Sequence, residues 1–156
     1  MRKLFTVLIV ILIVVLLLVI GILGHRRLVM GPATGLAQGG ALGGCPSTPN
    51  CVSTHAEGEQ HRVEPLALEG DAVAAMAKLR RIVEQMPRTR IVDATESYLH
   101  AEASSLIWRY IDDLEIHIDQ AAGKIHLRSA SRTGYSDLGV NRERVETLTE
   151  AYRAGP

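Results

Sequence analysis

Residues 4–23 form the longest apolar segment of the chain, with no charged residue and with Thr6 as its one polar side chain. At about 1.5 Å per helical residue, these twenty residues span roughly 30 Å, the thickness of the hydrocarbon core of a bilayer. The apolar stretch of a cleaved signal peptide is shorter, about 7 to 15 residues. We therefore predict a single transmembrane helix within residues 1–27, flanked by basic residues and retained as an anchor.

Residues 28–44 are rich in glycine, with six glycines among the last fifteen residues. This composition is typical of a flexible linker. Two forms of processing stay open, because Gly35-Leu36-Ala37 is similar to a signal-peptidase site and Leu42-Gly43-Gly44-Cys45 is similar to a lipidation motif. Both sites lie well beyond the apolar segment, which favours the uncleaved anchor. We predict a linker over residues 28–44 and a globular domain over residues 45–156.

Helical periodicity marks residues 71–86, where apolar side chains recur every three to four positions. Asp71 is a good N-cap for this helix, and Pro87 stops it. The predicted apolar face carries Val73, Met76, Leu79, Ile82, Val83 and Met86.

A period of two replaces this pattern further along the chain, as expected for strands with one buried and one solvated face. In residues 106–119, for example, Leu114 and Ile116 alternate with Glu115 and His117. An earlier segment contains Pro65, which restricts it to an edge of the sheet. The predicted strands are residues 61–68, 89–94, 98–103, 106–119 and 124–130.

A final helix is predicted from Asn141, its N-cap, with Val145, Leu148 and Tyr152 on one face. The order of elements is therefore strand, helix, four strands and helix. We predict an α+β fold in which two helices cover an antiparallel sheet of four to five strands, preceded by one transmembrane helix.

The charge of the chain argues against nucleic acid as a partner. The whole chain carries 17 basic and 17 acidic residues. Four of the basic residues precede Cys45 and no acidic residue does, so the predicted domain carries 13 basic against 17 acidic residues, a net charge of about −4. Proteins that bind nucleic acid need an excess of basic residues to neutralise its phosphates.

The chain has two cysteines, Cys45 and Cys51, separated by five residues that include two prolines. This spacing predicts a disulfide-closed loop, and two free thiols or a metal-binding pair are the alternatives. Disulfides persist in oxidising compartments, whereas the basic residues at the two ends of the anchor nearly balance. We therefore predict an inner-membrane protein with its C-terminal domain in the periplasm or an equivalent extracytoplasmic space.

A polar segment joins the last predicted strand to the final helix and holds the main candidate ligand-binding residues. Guanidinium groups bind carboxylate or phosphate, and the amide groups at a helix start attract anions. A small anion pocket is therefore one interpretation of the segment, and a structural network of ion pairs, which the composition favours over it, is the other. The candidates are Arg128, Ser129, Ser131, Arg132, Tyr135, Asp137, Asn141 and Arg142.

An acidic cluster, Asp112, Asp113 and Glu115, lies in the strand predicted over residues 106–119. Because neighbouring strand residues point to opposite faces, Asp113 and Glu115 should share one face and Asp112 should lie on the other. We expect Arg128 or Arg132 to pair with the buried carboxylate. A cation site formed with Asp137 is an alternative, but no loop has the usual ligand spacing, and we predict neither a metal nor a cofactor.

Hydrolysis is the alternative activity. The six histidines are scattered and match no catalytic motif. His100, His117 or His126 would have to approach Ser129 or Ser131 to give a nucleophile and its base.

Three segments resemble those of the domain of unknown function 1499 (DUF1499) family: Cys-Pro-Ser-Thr-Pro-Asn-Cys-Val-Ser at 45–53, Asp-Asp-Leu-Glu at 112–115, and Arg-Ser-Ala-Ser-Arg-Thr-Gly-Tyr-Ser-Asp-Leu-Gly-Val-Asn-Arg-Glu-Arg at 128–144. The resemblance covers residues 45–152. It implies a bacterial envelope or plastid protein with an N-terminal export or membrane segment, and it supplies no catalytic residue.

These observations predict a membrane-anchored envelope domain that acts as a binding or assembly module and not as an enzyme. Its expected partners are the lipid bilayer, through residues 4–23, and an anionic small molecule or an acidic group of an envelope protein. The alternatives are a small envelope hydrolase that uses a serine or aspartate with a histidine, and a structural subunit of a membrane complex.

Overall fold

A computed structural model describes residues 2–29, 31, 33 and 42–155 of the chain. Helix α1 (Arg2–Val29) contains a segment, Arg2–His25, that is long and apolar enough to cross a membrane, and none of its most apolar part is buried against protein. Most of the predicted linker, including the possible cleavage site at residues 35–37, lies outside the described residues.

A six-stranded antiparallel sheet forms the centre of the domain, in the order β1-β6-β5-β4-β3, with β2 also paired to β6. Helices α2 and α3 pack together over one face of it. The predicted α+β fold is confirmed, and a three-residue strand after Cys45 is added to it. The elements are β1 (Cys51–Ser53), β2 (Leu66–Ala67), α2 (Ala72–Gln85), β3 (Thr89–Ala94), β4 (Tyr98–Ser104), β5 (Ile111–Asp119), β6 (Lys124–Ser131) and α3 (Val140–Arg153).

Helix α2 begins where the sequence predicts. The Oδ2 atom of Asp71 accepts a hydrogen bond from the amide of Ala74 at 3.0 Å, which satisfies one of the unpaired donors of the first turn. Leu79 and Val83 are fully buried against the sheet. Val73, predicted on the same face, is instead exposed.

Strand β5 starts five residues later than predicted, at Ile111. The reason is a closed loop over residues 105–110, in which Ser105 and Tyr110 exchange two hydrogen bonds of 2.9 Å. Arg109 adopts a left-handed backbone conformation within this loop, with φ of 59°. Beyond the loop, the alternation of side chains along β5 follows the prediction, and Leu114 and Ile116 lie in the core beneath the helices.

The face of the sheet opposite the helices, here called the outer face, is more buried than predicted. Asp113 and Glu115 on β5 and Arg128 on β6 are almost inaccessible to solvent. Residues near the disulfide contribute to this cover, because the Nε atom of Arg128 donates to the carbonyl of Gly44 at 3.3 Å. The expectation of a solvated outer face is therefore wrong at the centre of the sheet.

Helix α3 is not capped by Asn141 as predicted. The carboxylate of Asp137 accepts hydrogen bonds from the amides of Gly139 and Asn141, at 3.0 and 2.8 Å. Asn141 lies inside the first turn with its side chain fully buried. The predicted apolar face of α3, represented by Val145 and Leu148, is confirmed.

Cys45 and Cys51 form the predicted disulfide, with 5.6 Å between their Cα atoms. Replacing both cysteines by serine is expected to lower the free energy of unfolding by about 2 kcal/mol, because the bond restricts a short loop in the unfolded chain. Urea denaturation of the full chain in detergent would measure the loss. Reduction of the unmodified protein should reproduce it, and equal stability of the oxidised and reduced proteins would contradict the prediction.

Candidate functional site

The predicted cluster of ligand-binding residues is divided by the sheet itself. Along β6 and just beyond it, Arg128 and Arg132 point to the outer face, whereas Ser129 and Ser131 point toward the helices. Residues that are close in sequence therefore belong to two separate polar networks.

The first network on the outer face is centred on Glu115. The Nη1 atom of Arg128 donates to Glu115 Oε2 at 2.8 Å, and the hydroxyl of Tyr98 donates to Oε1 at 2.9 Å. Both charged side chains are buried, with 2% of Arg128 and none of Glu115 exposed. Burial, followed by the negative charge of Glu115, raises the pKa of Tyr98, which holds its hydroxyl in the protonated, donating form.

Asp113 is the centre of a neighbouring group on the same face. Arg132 donates two hydrogen bonds to the Asp113 carboxylate, of 2.9 and 2.7 Å, and His100 Nε2 lies 2.7 Å from Asp113 Oδ1. Arg132 also donates to Glu102 at 2.6 Å. Burial alone would raise the pKa of Asp113, but the hydrogen bonds from His100 and Arg132 outweigh it, so the pKa is lowered and the carboxylate stays charged.

A third network lies on the helix side of the sheet around Asn141. Its Oδ1 atom accepts from Ser129 Oγ and from Arg144 Nη1, each at 2.5 Å. Its Nδ2 atom donates to the carbonyl of Asn50 at 3.1 Å and to Ser131 Oγ at 3.0 Å. Three of these bonds leave α3 and one, to Arg144, is made within it, so this amide links α3 to β6 and to the disulfide loop.

Asp112 faces the helices, as the alternation predicts, but its partner is not Arg128 or Arg132. The Nη2 atom of Arg144 donates to Asp112 at 2.8 Å. The expected pairing is therefore wrong for Asp112, because both expected arginines lie on the opposite face. Arg128 and Arg132 instead pair with Glu115 and Asp113, which lie on the outer face with them.

A cavity of about 560 Å³, here called the α2–α3 pocket, lies beside the Asp112–Arg144 pair. It is open to solvent on one side and is bordered by the C-terminal end of α2, by α3 and by the last residues of β4. Its walls combine apolar side chains with a few charged and hydroxyl groups. The lining residues are Ile82, Gln85, Met86, Pro87, Arg88, Thr89, Ala103, Ser104, Ser105, Leu106, Asp112, Val140, Glu143, Arg144, Thr147 and Ala151.

The remaining predicted site residues lie outside this pocket. Tyr135 is exposed in the loop before α3, and Asp137 binds the amides of the first turn of α3. Arg142 donates to the carbonyls of Gln60 and Arg62, both at 3.1 Å. None of the predicted ligand-binding candidates therefore lines the pocket, although Ser129 and Asn141 bind the Arg144 side chain that does.

Arg88 and Arg144 are the two basic residues that line the pocket, and neither was predicted from the sequence as a site residue. Arg144 follows Asn141 by three positions on α3, a spacing that places both on one helix face and that offered a usable signal. Arg88 offered none, because it lies just after Pro87 in a connection between α2 and β3.

Asp113, Glu115 and Asp137 do not converge on a cation site, since Asp137 lies at the start of α3 and the other two bind arginines on the outer face. Among the described residues, no group of three or more histidine, cysteine or acidic side chains is placed to hold a metal.

The histidines are separated from the candidate nucleophiles. His100 binds Asp113 on the outer face, and His126 lies 3.1 Å from the hydroxyl of Thr54, whereas Ser129 faces α3. Within the described part of the chain, no histidine shares a hydrogen bond with Ser129, Ser131 or Asp137. The serine and histidine pairs considered from the sequence are therefore not hydrogen-bonded in the described residues.

Comparison with known families gives one match, to a family described as "Protein of unknown function (DUF1499)", over residues 41–152. This range includes the disulfide loop, every strand, α2 and all but the last residue of α3. A search of curated proteins finds no matching sequence.

Proposed function

We propose that this chain, which belongs to the DUF1499 family of proteins of unknown function, is a membrane-anchored module of the cell envelope that binds an anionic amphiphile. By this term we mean a molecule with an apolar body and one charged end. The observation that carries the proposal is the α2–α3 pocket. Its volume of about 560 Å³ falls within the range of small-molecule sites, and apolar walls with a few convergent polar groups are typical of them.

The pocket offers separate surfaces for the two parts of such a ligand. Ile82, Met86 and Ala151 provide apolar wall, where burial of a hydrocarbon chain contributes about 25 cal/mol per Å². Arg88 lies at the exposed margin, its Nε atom held by the carbonyl of Ser104 at 3.1 Å. A guanidinium group in that position favours a carboxylate or a phosphate.

This proposal keeps the expected class of ligand but moves the recognition of its charge away from residues 128–142. Arg128 and Arg132 are already engaged by the buried carboxylates of Glu115 and Asp113. An anion that displaced either carboxylate would leave a buried negative charge unpaired, which is costly. Arg144 is held in the same way by Asp112, and it serves here as a fixed polar wall of the pocket.

Two features support an extracytoplasmic location for the domain. Helix α1 is apolar enough to span a bilayer, and the Cys45–Cys51 disulfide is of the kind that persists in oxidising compartments. We propose that α1 is an uncleaved anchor of the inner membrane and that the domain lies in the periplasm or an equivalent space. A C-terminal fusion to an enzyme that is active only outside the cytoplasm should be active, and a silent fusion would contradict this orientation.

Ligand binding is tested with a photoactivatable fatty acid and the full chain in nanodiscs. Adducts mapped by mass spectrometry are expected on the ends of α2 and α3 that line the pocket. Ala151→Phe should fill the cavity and reduce labelling roughly tenfold. Ala154→Phe, at the exposed C-cap position three residues later, is the matched control and should label normally.

Charge recognition is tested by comparing the fatty acid with the corresponding fatty alcohol. Arg88→Gln is expected to reduce labelling by the acid about tenfold, the value of one charge-assisted hydrogen bond, and to leave labelling by the alcohol unchanged. Equal labelling of the Ala151→Phe variant and the unmodified protein would refute the pocket as the site. Equal losses for acid and alcohol would refute Arg88 as the anion-binding group.

A further inference from the structure

We infer that the domain touches the bilayer a second time, through two loops beside the end of α1: residues 105–110, which join β4 to β5, and residues 132–139, which join β6 to α3. These are called the docking loops. The inference rests on the proposed membrane anchoring of α1, and it concerns a surface that shares only Ser105 and Leu106 with the α2–α3 pocket.

The first docking loop exposes an unusual amount of apolar surface. Leu106, Ile107 and Trp108 are consecutive and are 70%, 76% and 62% exposed. Single exposed apolar residues are ordinary, but a run of three large ones on a loop tip is typical of a surface that meets a partner.

The second docking loop has the same character. Tyr135 is 74% exposed and Leu138 is 94% exposed. Leu138 also adopts a left-handed backbone conformation, with φ of 57°, as Arg109 does in the first loop. Such a conformation is unfavourable for a residue with a side chain, and here it holds a leucine outward into solvent.

Both loops lie at the same edge of the domain, next to the end of the membrane helix. The amide of Arg132 donates to the carbonyl of Ile111 at 3.0 Å, which places the start of the second loop beside the end of the first. His25, the last residue of the segment that can span a membrane, has its Nε2 atom 3.0 Å from the carbonyl of Trp108. On the other loop, Arg132 Nη1 donates to the carbonyl of Gly31 at 3.4 Å.

This continuity with α1 selects the bilayer as the occupant. A helix that leaves the hydrocarbon core near His25 brings Trp108 to the headgroup region, where tryptophan and tyrosine side chains are preferentially found. Arg109 lies between Trp108 and Tyr110 in the same loop and suits lipid phosphates. Ile107 and Leu138 then enter the boundary between headgroups and acyl chains, as the apolar side chains of interfacial anchors do.

Trp108 is the single tryptophan of the chain and reports directly on this contact. The full chain is reconstituted in vesicles of phosphatidylcholine and phosphatidylglycerol, some with bromine atoms near the headgroup end of the acyl chains. We expect brominated lipid to quench Trp108 and iodide, present on both sides of the membrane, to quench it poorly. Quenching by iodide alone would overturn the inference. Protection from both quenchers would also overturn it, because protein and not lipid would then cover the loop.

A variant pair separates docking from general changes in surface polarity. Ile107→Ser with Leu138→Ser should reduce quenching by brominated lipid about twofold, because neither loop then has an apolar tip to insert. Val73→Ser with Val92→Ser removes two exposed valines that lie outside the docking loops and should have no effect. Equal quenching in both variants and the unmodified protein would count against insertion of the loops.

The other proposals are checked in the same preparations. Resistance of the protein to alkaline extraction reports on the anchor, and labelling by the photoactivatable fatty acid reports on the α2–α3 pocket. Ile107 and Leu138 do not line that pocket, so lost quenching with normal extraction and labelling assigns the defect to docking alone.

Discussion

Replacing Arg128 by methionine is expected to lower the free energy of unfolding by about 3 to 5 kcal/mol, the cost of removing the guanidinium from a buried ion pair. Glu115 is fully buried, and Arg128 donates to it at 2.8 Å. In the variant the carboxylate stays in a poorly solvated site with no guanidinium to compensate its charge, which favours the unfolded chain.

Urea denaturation of the full chain in detergent would measure this loss, with Arg62→Met as the matched control. Arg62 pairs with Glu64 on the surface, where both side chains are more than half exposed, so its replacement should change stability by less than about 1 kcal/mol. Adding Glu115→Leu to Arg128→Met should recover part of the loss, since no unpaired charge remains. Equal effects of the two arginine variants would contradict the buried ion pair.

Replacing Asn141 by alanine is expected to cost about 3 kcal/mol, although alanine is the better helix former. The reason is the loss of four hydrogen bonds around a fully buried side chain. Without it, Ser131 and the carbonyl of Asn50 lose a donor, and Arg144 keeps Ser129 and Asp112 as partners. Each buried polar group left unsatisfied costs roughly 1 to 3 kcal/mol.

The matched control for this prediction is Glu146→Ala, an exposed position on the same helix, which should change stability by less than about 0.5 kcal/mol. Denaturation followed by circular dichroism measures both variants. The Asn141→Ala variant should also label less well with the photoactivatable fatty acid, because Arg144 loses a bond that fixes it in the pocket wall. A stability loss below about 1 kcal/mol would show that the amide is not the centre of this network.

The elements of the fold were predictable because their signals are local. The period of two along β5 placed Leu114 in the core and Glu115 on the outer face, and the N-cap Asp71 with Pro87 bounded α2. Where a local signal was overridden, a specific contact explains it. Residues 106–110 were predicted as the start of a strand, but the hydrogen bonds between Ser105 and Tyr110 close them into a loop.

The networks were less predictable because their partners are far apart in sequence. Asp112 pairs with Arg144 across 32 positions, and Asn141 reaches the carbonyl of Asn50 across 91. Alternation shows which face a side chain occupies, but not which helix or loop covers that face. Residues near Gly44 help to bury Glu115 and Arg128 on the outer face. No pattern in the sequence predicts this burial.

The α2–α3 pocket could not be predicted from the sequence, for a related reason. Its walls come from Met86 at the end of α2, Ser104 at the end of β4 and Ala151 on α3, three sites with no common motif. Predicted site residues such as Asp137 in the loop before α3 and Arg142 on α3 instead bind main-chain groups. The polar residues that cluster in the sequence therefore form hydrogen bonds within the domain. The cavity is lined by other residues.

The bond between Arg132 and the carbonyl of Gly31 connects the membrane helix to the interior of the domain. Gly31 lies two residues beyond α1, and Arg132 is part of the ion-pair group with Asp113 and Glu102. Thinning or thickening of a bilayer shifts and tilts the helices that cross it. If α1 is the anchor proposed above, such a displacement would act through Gly31 on Arg132 and on its ion pairs with β4 and β5, and would couple the domain to the thickness of the bilayer.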